Sequence, residues 1–337
     1  MRAILVGLGA VGARSARQLL SSSSISELVV FSKRAAGADA KVAALGGAGV
    51  VRPELLSDAS FSYALSGASV VLLAAPGLRF RYAEESVRAG VPVVSVSDDP
   101  GEVRLLLDLD GEAAKQGVAV AVGAGMVPGL SCLLTAWAVS SMDELSEVHV
   151  ASLGTGGPAC ARRHHAALRE PVEEWRDGAW ERKVASSGRE LVWFPEQAGA
   201  DCYRINRPDT LLIARTFPGL RFATTRAAAS RRDRFTSWLP MLRPPHPEGT
   251  VGAVRVEVRG LRGGAAETVV VGAVGRPALL AGTVAASMAI RAASGELRPG
   301  AGGLASRVEG PGEVLADLSE RGVRLVTFEG AAMTPAQ

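Results

Sequence analysis

Two adjacent histidines, His164 and His165, are the side chains best suited to exchange protons near neutral pH. They lie in GTGGPACARRHHAALR (154–169), a stretch that reads as a turn running into a helix. Successive helix residues point about 100° apart, so at most one imidazole would face a pocket. A solvated helix surface is the alternative for both. No HxxxH motif or cysteine spacing accompanies them, so we treat them as candidate general acids and expect no metal site.

Two polar stretches, YRINRPD (203–209) and the arginine-rich 230–249, offer groups that bind carboxylates. An arginine fork holds a carboxylate through two parallel hydrogen bonds. A solvated surface is the alternative for most of these side chains. They contribute four candidate substrate ligands, which are Tyr203, Arg204, Arg231 and Arg232.

The element that would position such chemistry is GLGAVG (7–12), which follows the apolar run RAILV and opens a predicted helix. This context matches the dinucleotide-binding fingerprint. The first glycine permits a tight turn, the second lets the backbone approach a pyrophosphate, and the third lets the helix pack on the strand. The helix N-terminus favours phosphate. The predicted cofactor ligands here are Gly7, Gly9, Ala10, Val11 and Gly12.

The end of the second apolar run indicates which nicotinamide cofactor binds. An NAD site usually carries an acid there, which binds the ribose hydroxyls. This chain has Ser32, Lys33 and Arg34, and no acid appears before Asp39. A hydroxyl and two cations suit a ribose 2′-phosphate, so the sequence favours NADP over NAD. The alternative is that the cations belong to a solvated turn.

Six short apolar runs alternate with helical stretches up to residue 125, a pattern typical of a doubly wound parallel sheet. Ligands of such a sheet lie beyond the carboxyl ends of its strands. After the fifth run, Asp99 precedes Pro100 and is predicted to cap the next helix. The residues expected to border cofactor and substrate after the fourth and sixth runs are Ala74, Ala75, Pro76, Gly125, Pro128 and Gly129.

Beyond this sheet the regular alternation of apolar runs and helical stretches ends, and the new pattern predicts a second, α+β domain. Residues 253–259 alternate apolar and polar, and 267–274 return after a glycine turn, which indicates an antiparallel hairpin in a mixed or antiparallel sheet. A glycine-rich loop is expected at 299–303. The predicted limits are 1–126 for the dinucleotide-binding domain and 127–275 for the substrate domain, with 276–330 packing back onto the first.

The composition is that of a globular protein with one large or two medium domains: 337 residues, 47% hydrophobic and 21% charged. A net charge of +3 gives no reason to expect nucleic acid as a partner. Three distant cysteines favour a reducing compartment, so we expect a cytoplasmic protein. The apolar stretch around 277–290 is too short to span a membrane.

With these pieces the chain resembles the saccharopine dehydrogenase/reductase-like family over most of its length. The resemblance rests on the fingerprint and on five further stretches, which are VPVVSVSDD (91–99), GAGMVPGLSCLLTAWA (123–138), VEEWRDGAW (172–180), LVWFPE (191–196) and RTFPGLRF (215–222). It implies a Rossmann domain, a substrate domain inserted before the final helix, and NAD(P)-dependent chemistry at carbon–nitrogen bonds of amino acids or polyamines. By analogy with relatives, Asp98 would face the nicotinamide.

Two further expectations follow from the resemblance. Relatives often dimerise through the sheet of the second domain, and the outer edge of the predicted hairpin must be covered, so we expect a homodimer. The saccharopine reductases carry an acid just before the PGL element, where this chain has Met126 and Val127. Saccharopine itself is therefore not the expected substrate.

The leading functional hypothesis is an NADP-dependent oxidoreductase that reduces an imine, or oxidises an amine, of an amino-acid-like substrate. The alternative is a Rossmann protein that binds NADP without turnover, as a sensor or scaffold. A carbon–oxygen dehydrogenase of the short-chain type is disfavoured, because no Tyr-xxx-Lys pair occurs.

Overall fold

The computed structural model describes residues 1–33, 42–46, 50–77, 79–196, 199–241 and 244–328. Arg34, one of the residues on which the NADP prediction rests, lies outside them. The described residues include no helix long and apolar enough to cross a membrane. They also include no group of three or more metal-ligating side chains.

The first sheet has seven parallel strands in the order β15-β6-β5-β4-β1-β2-β3. Its central strands are buried apolar runs, as expected for a parallel sheet covered on both faces. The strands are β1 (Arg2–Val6), β2 (Glu27–Ser32), β3 (Val51–Leu55), β4 (Val70–Leu73), β5 (Val93–Ser95), β6 (Ala119–Val122) and β15 (Gly300–Gly303). The predicted doubly wound α/β class is confirmed.

The helices that connect the first six strands are α1 (Ala10–Leu20), α2 (Asp58–Leu65), α3 (Arg79–Arg88), α4 (Pro100–Leu107) and α5 (Asp110–Lys115). Near the end of the chain follow α10 (Pro277–Ala293), α11 (Leu304–Arg307) and α12 (Pro311–Glu320). Helix α10 is buried along most of its length and packs on α1. The close crossing depends on Gly282, because a Cβ there would lie 2.5 Å from Cβ of Arg14.

The second sheet is mixed, with the path β10-β11-β12-β7-β13-β14-β16 and the β8–β9 hairpin attached to β12. Its strands are β7 (Glu144–Leu153), β8 (Val172–Arg176), β9 (Ala179–Lys183), β10 (Glu190–Trp193), β11 (Gly199–Arg204), β12 (Phe222–Ala228), β13 (Gly252–Arg262), β14 (Ala265–Gly275) and β16 (Arg324–Phe328). The helices of this part are α6 (Leu130–Val139), α7 (Pro158–Ala167), α8 (Asp209–Thr216) and α9 (Arg231–Thr236).

The predicted hairpin is present as β13 and β14, with Val254, Val256 and Val258 buried on one face. One local prediction was wrong, because the glycine-rich segment 299–303 is not a loop. Residues Gly300–Gly303 form β15, paired with β6. The strand needs glycine for close packing, since a Cβ on Gly302 would lie 2.4 Å from Oγ of Ser306.

The segment after residue 276 contributes to both sheets. Helix α10 packs on α1 and β15 extends the first sheet, whereas β16 pairs with β14 of the second. The two sheets are thus connected by the segment from α10 to β16 as well as by α6. A cleft opens where these two sheets meet.

Candidate active site

A cleft of about 1160 Å³ opens at the carboxyl edge of the first sheet. One wall consists of the fingerprint turn and of residues that follow β2, β4, β5 and β6. The other wall consists of residues 154–163, at the start of α7, and of Arg207. This position agrees with the rule that ligands of an open α/β sheet bind beyond the carboxyl ends of the strands.

Two of the three fingerprint glycines, Gly7 and Gly12, are needed for the packing of the protein itself, whereas Gly9 is not. Gly7 has φ +101°, and a Cβ there would lie 2.7 Å from the backbone nitrogen of Ala75. A Cβ on Gly12 would lie 2.0 Å from the carbonyl oxygen of Gly7. Gly9, in contrast, has ordinary backbone angles and nothing within 4 Å of an added Cβ. It lines the cleft, so its missing side chain leaves room for a ligand and not for packing.

Helix α1 points its N-terminus into the cleft without a side-chain cap and without an acid in its first turn. The first N–H groups of such a helix have no intrahelical acceptor and carry the positive end of its dipole. Together with the space at Gly9, these groups fit the diphosphate of a dinucleotide. Gly157 packs here, since a Cβ on it would lie 2.8 Å from Cβ of Ala10.

The far end of the cleft, after β2, is lined by Ser32 and Lys33. Ala74, Ala75 and Pro76, which the sequence predicts to border the cofactor, line it after β4. The carboxylates among the described lining residues all follow β5, and they are Asp98, Asp99 and Glu102. A hydroxyl and a cation therefore border the position after β2, while acid groups lie elsewhere.

Asp98 and Arg207 meet in the cleft from opposite walls. Oδ2 of Asp98 lies 3.8 Å from Nη1 of Arg207, which donates a hydrogen bond to the carbonyl oxygen of Val127 at 2.9 Å. The Arg207 side chain is only 9% exposed. Its Nε has no partner among the described residues. The guanidinium is thus fixed through one nitrogen and retains unused donors.

The two neighbouring carboxylates, those of Asp99 and Glu102, already form contacts within the protein. Oδ1 of Asp99 accepts a hydrogen bond from N of Glu102 at 2.9 Å and caps α4, which confirms the predicted cap. The Glu102 carboxylate forms a buried ion pair with Arg79 and accepts a hydrogen bond from Ser97 at 2.6 Å. Asp98 is therefore the carboxylate of this edge left for a ligand.

Cys160 also lines the cleft, near Asp98. Burial, reinforced by the negative charge of Asp98, raises the pKa of its thiol to about 11. The thiolate is the nucleophilic form of cysteine. Cys160 therefore remains protonated near neutral pH and is unsuited to act as a nucleophile.

The two predicted histidines do not line the cleft. Burial, and then the nearby Arg207, lower the pKa of His164 to about 3, so its ring is neutral near pH 7. Nε2 of His165 hydrogen-bonds the carbonyl oxygen of Leu239 at 2.8 Å, and its ring lines a separate groove. A proton-transfer role for either histidine remains a prediction, without support from this geometry.

The four predicted substrate ligands also lie outside the cleft. Nε of Arg204 donates to Oε1 of Glu174, a fully buried acid, at 2.8 Å. Tyr203 is buried in the second layer, and Arg231 and Arg232 are exposed on α9. Their assignment to substrate stays a prediction that the geometry does not favour. Arg204 lies within β11, where its side chain compensates a buried charge instead.

Of the predicted turn residues, Gly125 and Pro128 line the cleft, whereas Gly129 lies behind it. Gly129 has φ +125°, and a Cβ there would lie 2.3 Å from the carbonyl oxygen of Gly125. Its role is therefore to permit the tight turn before α6. Pro128 and Gly125 form the adjoining floor.

Five arginines among the described residues line the cleft and were missed from the sequence, which are Arg79, Arg81, Arg162, Arg163 and Arg207. Arg207 lies in the polar stretch that was singled out, three residues after Arg204, in the loop between β11 and α8. Arg163 precedes His164 on α7. The signal that would have found Arg207 is its place after the end of a strand, since Arg204 is still within the sheet.

Neither the models of known protein families nor the sequences of characterised proteins match this chain. Solved structures do match it. Apo saccharopine dehydrogenase (L-Glu forming) from Saccharomyces cerevisiae is similar at a TM-score of 0.69 with 14% identity, over 97% of this chain and 100% of that one. The chain has the fold of these dehydrogenases. The resemblance seen in the sequence is thereby confirmed for the fold.

Two other dehydrogenases have the same fold. C. glutamicum DAP dehydrogenase, solved with DAP, matches at a TM-score of 0.53 and 14% identity, over 96% of this chain and 99% of that one. An engineered D-amino acid dehydrogenase bound to NADP⁺ matches at 0.50 and 14%, with the same coverage. The similarity to the dehydrogenase fold therefore extends over both sheets of the chain and is not limited to the first sheet.

Proposed function

We propose that this protein is an NADP-dependent oxidoreductase that acts on a carbon–nitrogen bond of an amino-acid-like substrate, by imine reduction or amine oxidation. The observation that carries the proposal is the Asp98–Arg207 pair, whose charged groups lie 3.8 Å apart in the cleft that contains the fingerprint. A carboxylate beside a guanidinium complements the ammonium and carboxylate of an amino acid. A neutral sugar or a lipid would offer no ionic partner to either group.

Arg207 is the proposed carboxylate anchor. Its side chain lines the cleft and Nη1 is engaged by Val127, so a carboxylate can accept hydrogen bonds from the part of the guanidinium that faces the cleft. Asp98 would bind the amine and exchange a proton with it. The nicotinamide, when bound, supplies or accepts the hydride. The D-amino acid dehydrogenase of the same fold supports this assignment by its name and by its bound NADP⁺.

NADP is the proposed cofactor, with NAD less favoured. Support comes from Ser32 and Lys33 after β2 and from the location of the lining carboxylates after β5. Gly9 and the uncapped start of α1 would receive the diphosphate. A 2′-phosphate carries negative charge that an acid after β2 would repel and that a lysine attracts.

The decisive experiment is a substrate screen with two directions. NADPH oxidation would be followed with 2-oxo acids plus amines, and NADP⁺ reduction with free amino acids and polyamines. We expect turnover with a compound that carries both an amine or imine and a carboxylate. Turnover only with alcohols or sugars would contradict the proposal.

A non-catalytic NADP sensor is the second candidate. It is favoured by the absence of a histidine or tyrosine among the described residues of the cleft wall, and by Met126 and Val127 before the PGL element. Tight NADPH binding with no turnover across the whole screen would favour this candidate over the enzyme.

A homodimer remains the expected assembly. The hairpin edge on which this expectation was based is covered within the chain, since β14 pairs with β16 and β13 with β7. Strand β10, however, is an edge of the second sheet and exposes Leu191 and Trp193, and exposed edges are usually covered. Light scattering at micromolar concentration should give twice the chain mass. The monomer mass would overturn this expectation.

A further inference from the structure

Arg163 is a largely buried guanidinium, 14% exposed, at the point where the two walls of the cleft meet. Nη1 and Nη2 donate to the two carboxylate oxygens of Glu170, at 2.8 and 2.7 Å. Nη2 also donates to the carbonyl oxygen of Asn206 at 3.1 Å, and Nε lies 3.4 Å from Oδ2 of Asp99. One side chain thus contacts three separate segments of the chain.

Two of these contacts reach the direct chain neighbours of the proposed site residues. Asp99 follows Asp98, and the carbonyl group of Asn206 belongs to the peptide unit that leads into Arg207. The other oxygen of Asp99 caps α4, so this residue is held by the cap hydrogen bond and by the ion pair with Arg163, whose Nε makes no hydrogen bond among the described residues. Asn206 is held likewise, because its Nδ2 donates to Oε2 of Glu170 at 2.9 Å.

The Asp98–Arg207 pair cannot set its own geometry. Its 3.8 Å separation is longer than a hydrogen bond, so the two side chains are not locked to each other. Arg207 is fixed to the Val127 carbonyl, on the opposite wall. The spacing of the pair must therefore come from the segments on either side, and Arg163 faces the Asp99 side chain on one of them and donates to the Asn206 backbone carbonyl on the other.

We propose that Arg163 is a positioning residue that holds Asp98 and Arg207 at the separation needed for one ligand to contact both. A planar guanidinium suits this task, because its two Nη groups donate in fixed directions to the Glu170 carboxylate and the Asn206 carbonyl while its charge faces the Asp99 carboxylate. A lysine offers the same charge as a single point and cannot make the bidentate contact. The kinetic part of the test rests on the proposed function, but the structural part does not.

The test compares Arg163→Met and Arg163→Lys with wild type. Crystal structures without substrate should show the separation of Asp98 and Arg207 changed by 1 Å or more in both variants. With a substrate from the screen, kcat should fall at least tenfold in both, while NADPH affinity stays within twofold. Arg169→Met is the matched control, because Arg169 follows the same helix, is exposed and does not line this cleft.

Asp99→Asn provides a second variant in case loss of Arg163 prevents folding. Asparagine retains the α4 cap but removes the charge that faces Arg163. It should displace Asp98 and leave Arg207 in place. An unchanged separation in the Arg163 variants, or full rescue by lysine, would overturn the proposal. If the separation changes but wild type turns over no substrate, the positioning role stands and the proposed function fails.

Discussion

The two walls of the cleft are built on different physical principles. At the fingerprint turn, the first wall is made of backbone and small residues, and its shape is set by contacts such as that of Gly12 with the Gly7 carbonyl oxygen. The opposite wall contributes charged side chains, Arg163 and Arg207 among them, that are held by other polar groups. We expect the fingerprint turn to bind a ligand through close approach and backbone N–H groups. We expect the opposite wall to bind a ligand through charged groups that need a partner of opposite charge.

This difference predicts how each wall responds to change. A side chain added to the first wall should act by filling space, either space needed by the protein or space needed by the ligand. A charge removed from the second wall should act through its partners and through pH. The following experiments test this contrast.

The largest effect is expected for Gly9→Val. The added side chain enters the open space of the cleft, so NADPH affinity should fall at least a hundredfold while the unfolding temperature changes by only a few degrees. Fluorescence titration and thermal unfolding measure the two quantities. Gly111→Val is the control, since Gly111 also has free space but lies on α5. Normal NADPH binding by Gly9→Val would refute the role of Gly9.

Asp98→Asn should lower turnover of the screened substrate at least a hundredfold, which lies in the usual range for losing a general acid or base. NADPH affinity should change little. His165→Gln is the matched comparison, because His165 does not line the cleft. We expect its turnover to stay within about threefold of wild type. A larger loss in His165→Gln than in Asp98→Asn would reinstate the histidine as the proton donor.

Asp209 tests how much the burial of a charged group near the second wall lowers the free energy of unfolding. It is fully buried behind Arg207, accepts a hydrogen bond from Ser131, and has its pKa raised to about 6 by burial. A raised folded-state pKa means that the stability linked to the protonated form is present below pH 4 and is lost as pH rises through 6.

Asp209→Asn does not titrate, so its stability relative to wild type should increase between pH 4.5 and pH 7.5, on the order of 2 kcal/mol. Urea unfolding of both proteins at the two pH values measures the difference. Asp108→Asn, at an exposed position, is the control. A difference between Asp209→Asn and wild type that is the same at both pH values would contradict the prediction.

The smallest effect concerns cofactor choice. Wild type should bind NADPH at least tenfold more tightly than NADH, which corresponds to about 1.4 kcal/mol. Lys33→Asp should remove most of this preference, because it places an acid after β2. Lys115→Asp makes the same charge change on α5, away from the cleft, and should leave the preference intact. Equal affinities in wild type would remove the case for NADP.

The fold and the first wall follow largely from the sequence by itself. Six apolar runs, the contact of Gly12 with the Gly7 carbonyl oxygen, and the Asp99 cap all depend on neighbours a few residues apart. Such local requirements appear in the sequence as patterns, because backbone geometry limits which residues fit them. The strand at 300–303 could not be predicted from the sequence in this way, because β6, with which it pairs, lies far away along the chain.

The second wall was decided by tertiary structure alone. The sequence indicated that arginines near 204 would bind a carboxylate, but Arg204 compensates the buried Glu174, and Arg207 reaches the cleft. The histidines sit one and two residues beyond Arg163, yet only Arg163 lines the cleft. Which charge is left for a ligand depends on which distant charges the fold has already paired, and that balance is set by contacts across both sheets.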